Sequence, residues 1–323
     1  MSKKLIAILI LACAALFLGA DLTPAQAQTP IRIGYLQSDI HQLACWVAIE
    51  KGFYTEQGLK VKVAGIFRAG PEEMSAFAAG ELDMGYVGEA PATTAVANGA
   101  AKVQVVAQVN TQGSAIVVRK NSPLAKVSDL RGKSAAVPGH STVQDFLLKK
   151  ALAQAKVPLP QVKVVVLKPP EMIGALREKQ TDAFIAWEPY PAKAQTMDVG
   201  KILITSGAIW KDHPCCVLVA DQKFMAKRPG DVKKMVAAHV KATDFINKNP
   251  QEALKIGEKY TGMDAKTVGL AMQNVKYTYQ ISVEGEKEYV QFLSKLGYIK
   301  VPDAQAFVDR FLNTRILKEV LAK

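Results

Sequence analysis

Apolar residues recur along the chain in short runs, and the stretches between those runs carry helical spacing. Residues 31–36 predict a strand, and 41–51 a helix that stops at Gly52. Residues 61–64 predict a strand, 72–79 a helix ended by Gly80, and 83–87 a strand. A helix over 90–97, ended by Asn98-Gly99, and a strand over 103–109 complete the first series. Strands alternating with helices imply βαβ units and a parallel sheet. The pattern then restarts. Strands are predicted over 115–118, 134–137, 162–167, 183–186, 202–205 and 216–220. Helices are predicted over 142–154 and 171–179, with Pro169-Pro170 breaking the strand before the second. From Pro229 onward the chain reads as helical, with breaks at Asn249-Pro250, Gly262, Gly285, Gly297 and Pro302. The fold class expected is α/β, with two lobes and a helical C-terminal tail.

The first residues change the picture of where the chain works. Lys3 and Lys4 precede an apolar run over 5–19, and Ala25-Gln26-Ala27 supplies the small residues a signal peptidase reads. Residues 1–27 are expected to be a signal peptide cleaved after Ala27, which places the mature chain in the periplasm or otherwise outside the cytoplasm. The apolar run falls short of the roughly 20 residues that span a bilayer. Cys13 follows Leu11-Ala12 and offers a lipidation site as an alternative, although more apolar residues lie behind it. No later segment reaches transmembrane length.

The formal net charge is +12, but Lys and Arg are spread rather than blocked. There is no basic arm and no nucleic-acid motif, so nucleic acid is excluded as a partner. A positive field suits anionic solutes. Beyond residue 27 the cysteines are Cys45, Cys215 and Cys216, an odd set that rules out a disulfide framework.

In open α/β sheets, ligands bind where strand ends run into helix N-termini. Several loops there share small, polar residues. Gln37, Ser38 and His41 follow the first strand, and Gly88 and Glu89 follow the third. Gln112 lies between the lobes, and Gly139, His140, Ser141 and Thr142 lead into a helix. Such loops expose backbone N–H groups to an anion. Taken singly, Glu89, Ser141 and Thr142 also read as ordinary caps and turn residues. Trp187 and Glu188 sit at the end of the strand over 183–186, where an aromatic could cover the apolar part of a ligand. A core tryptophan is the other reading.

Gly52-Phe53-Tyr54 with Gly58-Leu59, Gly80-Glu81-Leu82-Asp83, Gly88-Glu89-Ala90-Pro91, and Asp182-Ala183-Phe184 with Trp187-Glu188-Pro189 occur in that order. Together they resemble the nitrate/sulfonate/taurine class of ABC-transporter substrate-binding proteins, from Ile31 to about Pro250. The Gly-Glu-Ala-Pro loop is closest to the aliphatic-sulfonate members. The resemblance implies a type 2 periplasmic-binding-protein fold, with two α/β lobes joined by two crossovers. These are placed near Asn110–Ser114 and Pro214–Val217. Lobe 1 is then 28–110 plus 217–323, including the C-terminal helices, and lobe 2 is 111–216. It further implies a monomeric binding protein, not an enzyme and without cofactor. Its expected ligand is a small, sulfonate-like anion, with a cationic or amine-bearing ligand as the alternative that Asp39, Glu89 and Glu188 leave open, and its expected partners are an ABC permease and its ATPase.

One stretch departs from that family. His213-Pro214-Cys215-Cys216 lies near the return crossover, and Cys45 follows the first loop. Three readings stay open: small buried hydrophobes near a hinge, a disulfide from Cys45 to one of the pair, or a soft-metal or thiol-reactive site. The last would use Cys45, Cys215, Cys216 and His213 or His41. Two other functional classes also stand. Thiamine-pyrimidine synthases share the architecture and carry a Cys-rich segment, and a sensor module that docks on a membrane receptor would need the same cleft.

Overall fold

The computed structural model describes residues 29–322; the leader segment and Cys13 lie outside them. From Ile31 onward the chain forms one compact unit. Its eleven described strands are β1 (Ile31–Leu36), β2 (Val61–Phe67), β3 (Met84–Gly88), β4 (Val103–Gln112), β5 (Ser114–Arg119), β6 (Ser134–Val137), β7 (Lys163–Val166), β8 (Ala183–Trp187), β9 (Gly200–Thr205), β10 (Pro214–Asp221) and β11 (Val275–Tyr277). They build a six-stranded sheet in the order β11-β4-β10-β3-β1-β2 and a five-stranded sheet in the order β7-β6-β8-β5-β9.

The alternation of strand and helix predicts the elements well and the sheets only in part. β1 runs parallel to β2 and β3, and β6 runs parallel to β7 and β8. The expected parallel sheets are nevertheless mixed. β10 inserts antiparallel between β3 and β4, and β5 is antiparallel to both of its neighbours. β10 is apolar and buried up to Ala220, as a central strand must be. The edge strands β2 and β7 are half-exposed by comparison. Pro169 opens the Pro169–Arg177 helix, because a first-turn proline loses no intrahelical hydrogen bond. β11 interrupts the tail that was expected to be wholly helical.

The chain passes from the larger sheet to the smaller through Gly113 alone. Its φ of +86° is open to glycine, and a Cβ there would sit 2.2 Å from His41 Nε2. It returns through the Ser206–Ile209 helix into β10. The Gln112 N–H donates to the His213 carbonyl at 3.1 Å, so the two passages are tied together.

The C-terminal helices pack mostly on the six-stranded sheet, and some of them reach across to the other half. Asn274 Nδ2 donates to Glu188 Oε1 at 2.8 Å. The Tyr298 hydroxyl donates to Asp145 Oδ2 at 2.8 Å, and Lys193 Nζ to Asp264 Oδ2 at 3.0 Å. These contacts brace the two sheets in a closed arrangement. No helix among the described residues is long and apolar enough to cross a membrane.

Candidate functional site

Three strand ends set the site. β1 ends at Leu36, β3 at Gly88 and β8 at Trp187, and all three residues line one narrow cavity of about 10 Å³. The rest of its wall is Asp39, His41, Gly70, Pro91, Thr142, Val143, Gln144, Cys215 and Cys216. Three helices begin at this wall: Gly70–Ala78, Glu89–Ala97 and Val143–Gln154. The first-turn N–H groups of a helix have no intrahelical partners and carry the positive end of its dipole. Thr142 fixes one of these starts, since its hydroxyl accepts the Asp145 N–H at 3.1 Å and donates to the Gly139 carbonyl at 2.8 Å. Trp187 is almost fully buried, and its indole N–H has no hydrogen-bond partner.

The opposite wall is a buried polar cluster. His41 Nε2 lies 2.8 Å from the Gly113 carbonyl, which can only accept, so Nε2 carries the proton. That leaves Nδ1 facing Cys215 Sγ at 3.5 Å, Cys216 Sγ at 3.7 Å and Asp39 Oδ1 at 3.3 Å. Two consecutive strand residues ordinarily point to opposite faces. Here the pairing of β10 with β4 slips between Pro214 and Cys216 and again after Cys216, and this bulge turns both thiols toward one imidazole. Asp39 is held by the His41 N–H at 3.0 Å and by Gln42 Nε2 at 2.9 Å. Burial pushes the Asp39 carboxyl above its ordinary range. Burial alone would lower His41, but the Asp39 charge, with the Cys216 and Gly113 contacts, outweighs it and lifts the imidazole to about 9. Burial raises the Cys216 thiol well above its usual value.

Six of the residues singled out in the sequence therefore meet at the cavity: His41, Gly88, Thr142, Trp187, Cys215 and Cys216. His140 and Ser141 line an outward groove of about 330 Å³, with Met74, Ala78 and Ala95 on its apolar side. Pro91 borders both spaces, so the groove lies next to the cavity. Gln37 is exposed and Ser38 is partly buried beside Tyr190. Gln112 donates to Asp212 Oδ1 at 2.9 Å at the crossover. Gly139 serves Thr142 as described.

The Glu89 and Glu188 side chains are engaged elsewhere. Glu89 accepts from Gln108 Nε2 at 3.1 Å and shares a buried cluster with Thr93 and Glu286. Glu188 accepts the Ala192 N–H at 3.0 Å in addition to Asn274, and burial lifts its carboxyl to about 7. Cys45, Cys215 and Cys216 are free and buried, so the disulfide option falls. Cys45 lies against the Tyr54 hydroxyl at 3.9 Å. His213 donates from Nδ1 to the Pro214 carbonyl at 3.0 Å, and burial lowers it to about 4. Arg68 pairs with Glu72 on the surface. Gln144 was absent from the expected site, and Asp39 was read in the first loop only as a partner for a cationic ligand. Asp39 is legible as a cap before a short helical turn, whereas Gln144 carries no local signal.

The NMT1-like family model matches residues 24–257. The taurine-binding periplasmic protein of Escherichia coli is 27% identical over 270 residues, 78% of this chain and 82% of that one. Among solved structures, the periplasmic nitrate-binding protein NrtA of Synechocystis superposes with a TM-score of 0.79 at 18% identity, covering 92% of this chain and 89% of that one. The periplasmic aliphatic sulphonate binding protein SsuA of Escherichia coli gives 0.74 at 20% identity, covering 88% and 98%. Likeness at that identity shows the fold, which is the two-lobed periplasmic-binding-protein fold.

Proposed function

The chain belongs to the NMT1-like family, and we propose that it is the extracytoplasmic substrate-binding component of an ABC importer, closing on a small anion of the sulfonate class. The observation that carries this reading is the convergence of three helix starts and the unpartnered Trp187 N–H on one closed cavity. Positive helix ends and an unsatisfied donor suit an oxyanion without requiring a lysine or arginine. The apolar outer groove gives room for an alkyl tail, with the anionic head innermost. The taurine, sulphonate and nitrate ligands named for the relatives all present an oxyanion group.

A cavity of about 10 Å³ holds no more than roughly one water, so ligand entry requires the halves to part. Opening breaks the Glu188–Asn274 and Asp145–Tyr298 contacts, and a bound anion restores the closed population. The permease and its ATPase then receive the closed form, and the leader at the N-terminus provides for export. Binding alone meets this role, with no catalytic step.

Thermal and chemical unfolding of the chain from residue 28, with alkanesulfonates, taurine, nitrate and amines, tests the proposal. A true ligand at a hundredfold excess over its Kd should add about 3 kcal/mol of stability. Stabilisation by amines and by none of the anions overturns it.

A further inference from the structure

We propose that His41, Cys215 and Cys216 form a three-ligand site for a single thiophilic d¹⁰ cation, Zn(II) or Cu(I), in the wall of the cleft. Four independent features of the geometry lead there. First, the nitrogen–sulfur pairs already stand at coordination spacing. Metal–sulfur bonds near 2.3 Å and metal–nitrogen bonds near 2.0–2.1 Å at a tetrahedral angle put N and S about 3.6 Å apart. The Nδ1 atom lies 3.5 and 3.7 Å from the two sulfurs, and all three donor atoms fall within 4.8 Å of one another.

Second, the tautomer is set from outside. The Gly113 carbonyl accepts the Nε2 hydrogen bond at 2.8 Å, which leaves Nδ1 as the ring nitrogen facing the thiols, the usual arrangement behind a metal-bound histidine once Nδ1 gives up its proton. Third, the backbone is shaped for it. Packing two small hydrophobic side chains does not require consecutive strand residues to face the same way. The bulge at Cys215-Cys216 imposes that, and Gln42 Nε2 adds a contact to Cys216 Sγ at 3.6 Å. Fourth, an acidic side chain stands beside the donors. The cavity wall includes Asp39 and no Lys or Arg.

Three protein ligands leave one coordination position, and both cysteines and His41 border the cavity. The cation would therefore present its open position to the solute. Binding forms two metal–sulfur bonds and one metal–nitrogen bond and releases the thiol protons, and any proton on Nδ1, to solvent. Occupancy of the site stands on this geometry alone. Its effect on the anion rests on the cleft reading above: the cation adds a full positive charge to the partial charges of the helix starts.

The test uses the chain from residue 28, reduced and stripped of metal, titrated with Zn(II), Cu(I) and the spectroscopic probe Co(II). The expected results are one cation per chain and thiolate-to-metal charge-transfer absorption with Co(II). That absorption should weaken in Cys215→Ser and in Cys216→Ser, disappear in the double variant and persist in Cys45→Ser. X-ray absorption of the wild-type zinc form should report two sulfur and one nitrogen ligands, which settles the matter even if a variant misfolds. A shell of oxygen and nitrogen only, or a signal unchanged in the double Cys215→Ser, Cys216→Ser variant, overturns the site. Zinc loading should also tighten anion binding by about tenfold. Anion binding by metal-free protein that takes up no cation would sink this inference and leave the importer reading standing. Cation binding with no anion response in either form would do the reverse.

Discussion

Two buried polar clusters share the side chain of Gln108, yet they behave differently. Its amide donates to Glu89 Oε2 at 3.1 Å on one side and to the Cys216 carbonyl at 2.9 Å on the other. The Asp39–His41–Cys215–Cys216 cluster lines a cavity, whereas the Glu89–Thr93–Glu286 cluster is absent from that wall. Both are equally buried, and both hold titratable groups far from their ordinary values. Burial and a shifted pKa therefore do not distinguish a ligand wall from a structural seam; access to the cavity does. Gly88 and Glu89 make the point at one-residue resolution. Gly88 borders the cavity, and the Glu89 side chain points into the seam.

The largest expected effect lies on the cleft side. Trp187→Ala should lower ligand affinity by more than about tenfold and cost about 3–5 kcal/mol in denaturant unfolding, since it empties a packed aromatic site. Unchanged ligand-induced stabilisation in that variant would place the ligand elsewhere.

The seam should answer to pH instead. Burial raises Glu89 from 4.5 to about 7, and burial, with the neighbouring Glu89 charge, raises Glu286 well above its ordinary value. The native state therefore holds the Glu89 proton more tightly than the unfolded chain does. Its contribution to stability is complete below about pH 4.5 and is lost as pH rises through about 7. Glu188 adds a parallel loss over the same window. Glu89→Gln, whose amide can donate to Glu286, should remove about 3 kcal/mol of that decline. Unfolding curves between pH 5 and about 8 measure it, and a wild-type slope in the variant would count against the seam assignment.

Gly113→Ala should destabilise by about 1–3 kcal/mol, because it combines a positive φ with a clash on His41. It should also disturb the cleft cluster and not the seam side, which imidazole NMR shifts of His41 would resolve against those of His239, whose Nε2 donates to the Gln108 carbonyl at 2.8 Å. Asn274→Ala removes one brace and should cost about 1 kcal/mol. Ligand affinity should fall modestly with it, because the closed state is less populated; unchanged affinity would mean that this contact does not report closure. The smallest effect is at Arg68. It is exposed and paired with Glu72, so Arg68→Ala should leave calorimetric ligand affinity unchanged.

Most elements were legible because their causes are local. The strand over 134–137 and the helix after Thr142 follow from a short apolar run and a capping hydroxyl, and both appear where expected. The candidate loops at His41, Gly88, Thr142 and Trp187 followed from where strands end. Misreadings arose where partners are distant. Glu89 and Glu188 look like cleft residues from their loops, but Gln108 and Asn274, which engage them, come from other parts of the chain. β11 is only three residues long, and its strand character comes from pairing with β4.

By itself, the sequence determined the order and type of the elements and the strand ends where a ligand could be met. Periodicity, caps and turn residues act over a few positions and need no folded context. Tertiary structure decided the rest. It inserted β10 between β3 and β4, and in doing so brought Cys215 and Cys216 to His41 across 174 and 175 residues. No local signal encodes such a meeting. It arises from long-range sheet pairing, a bulge that redirects one thiol, and a glycine crossover narrow enough to seat the imidazole.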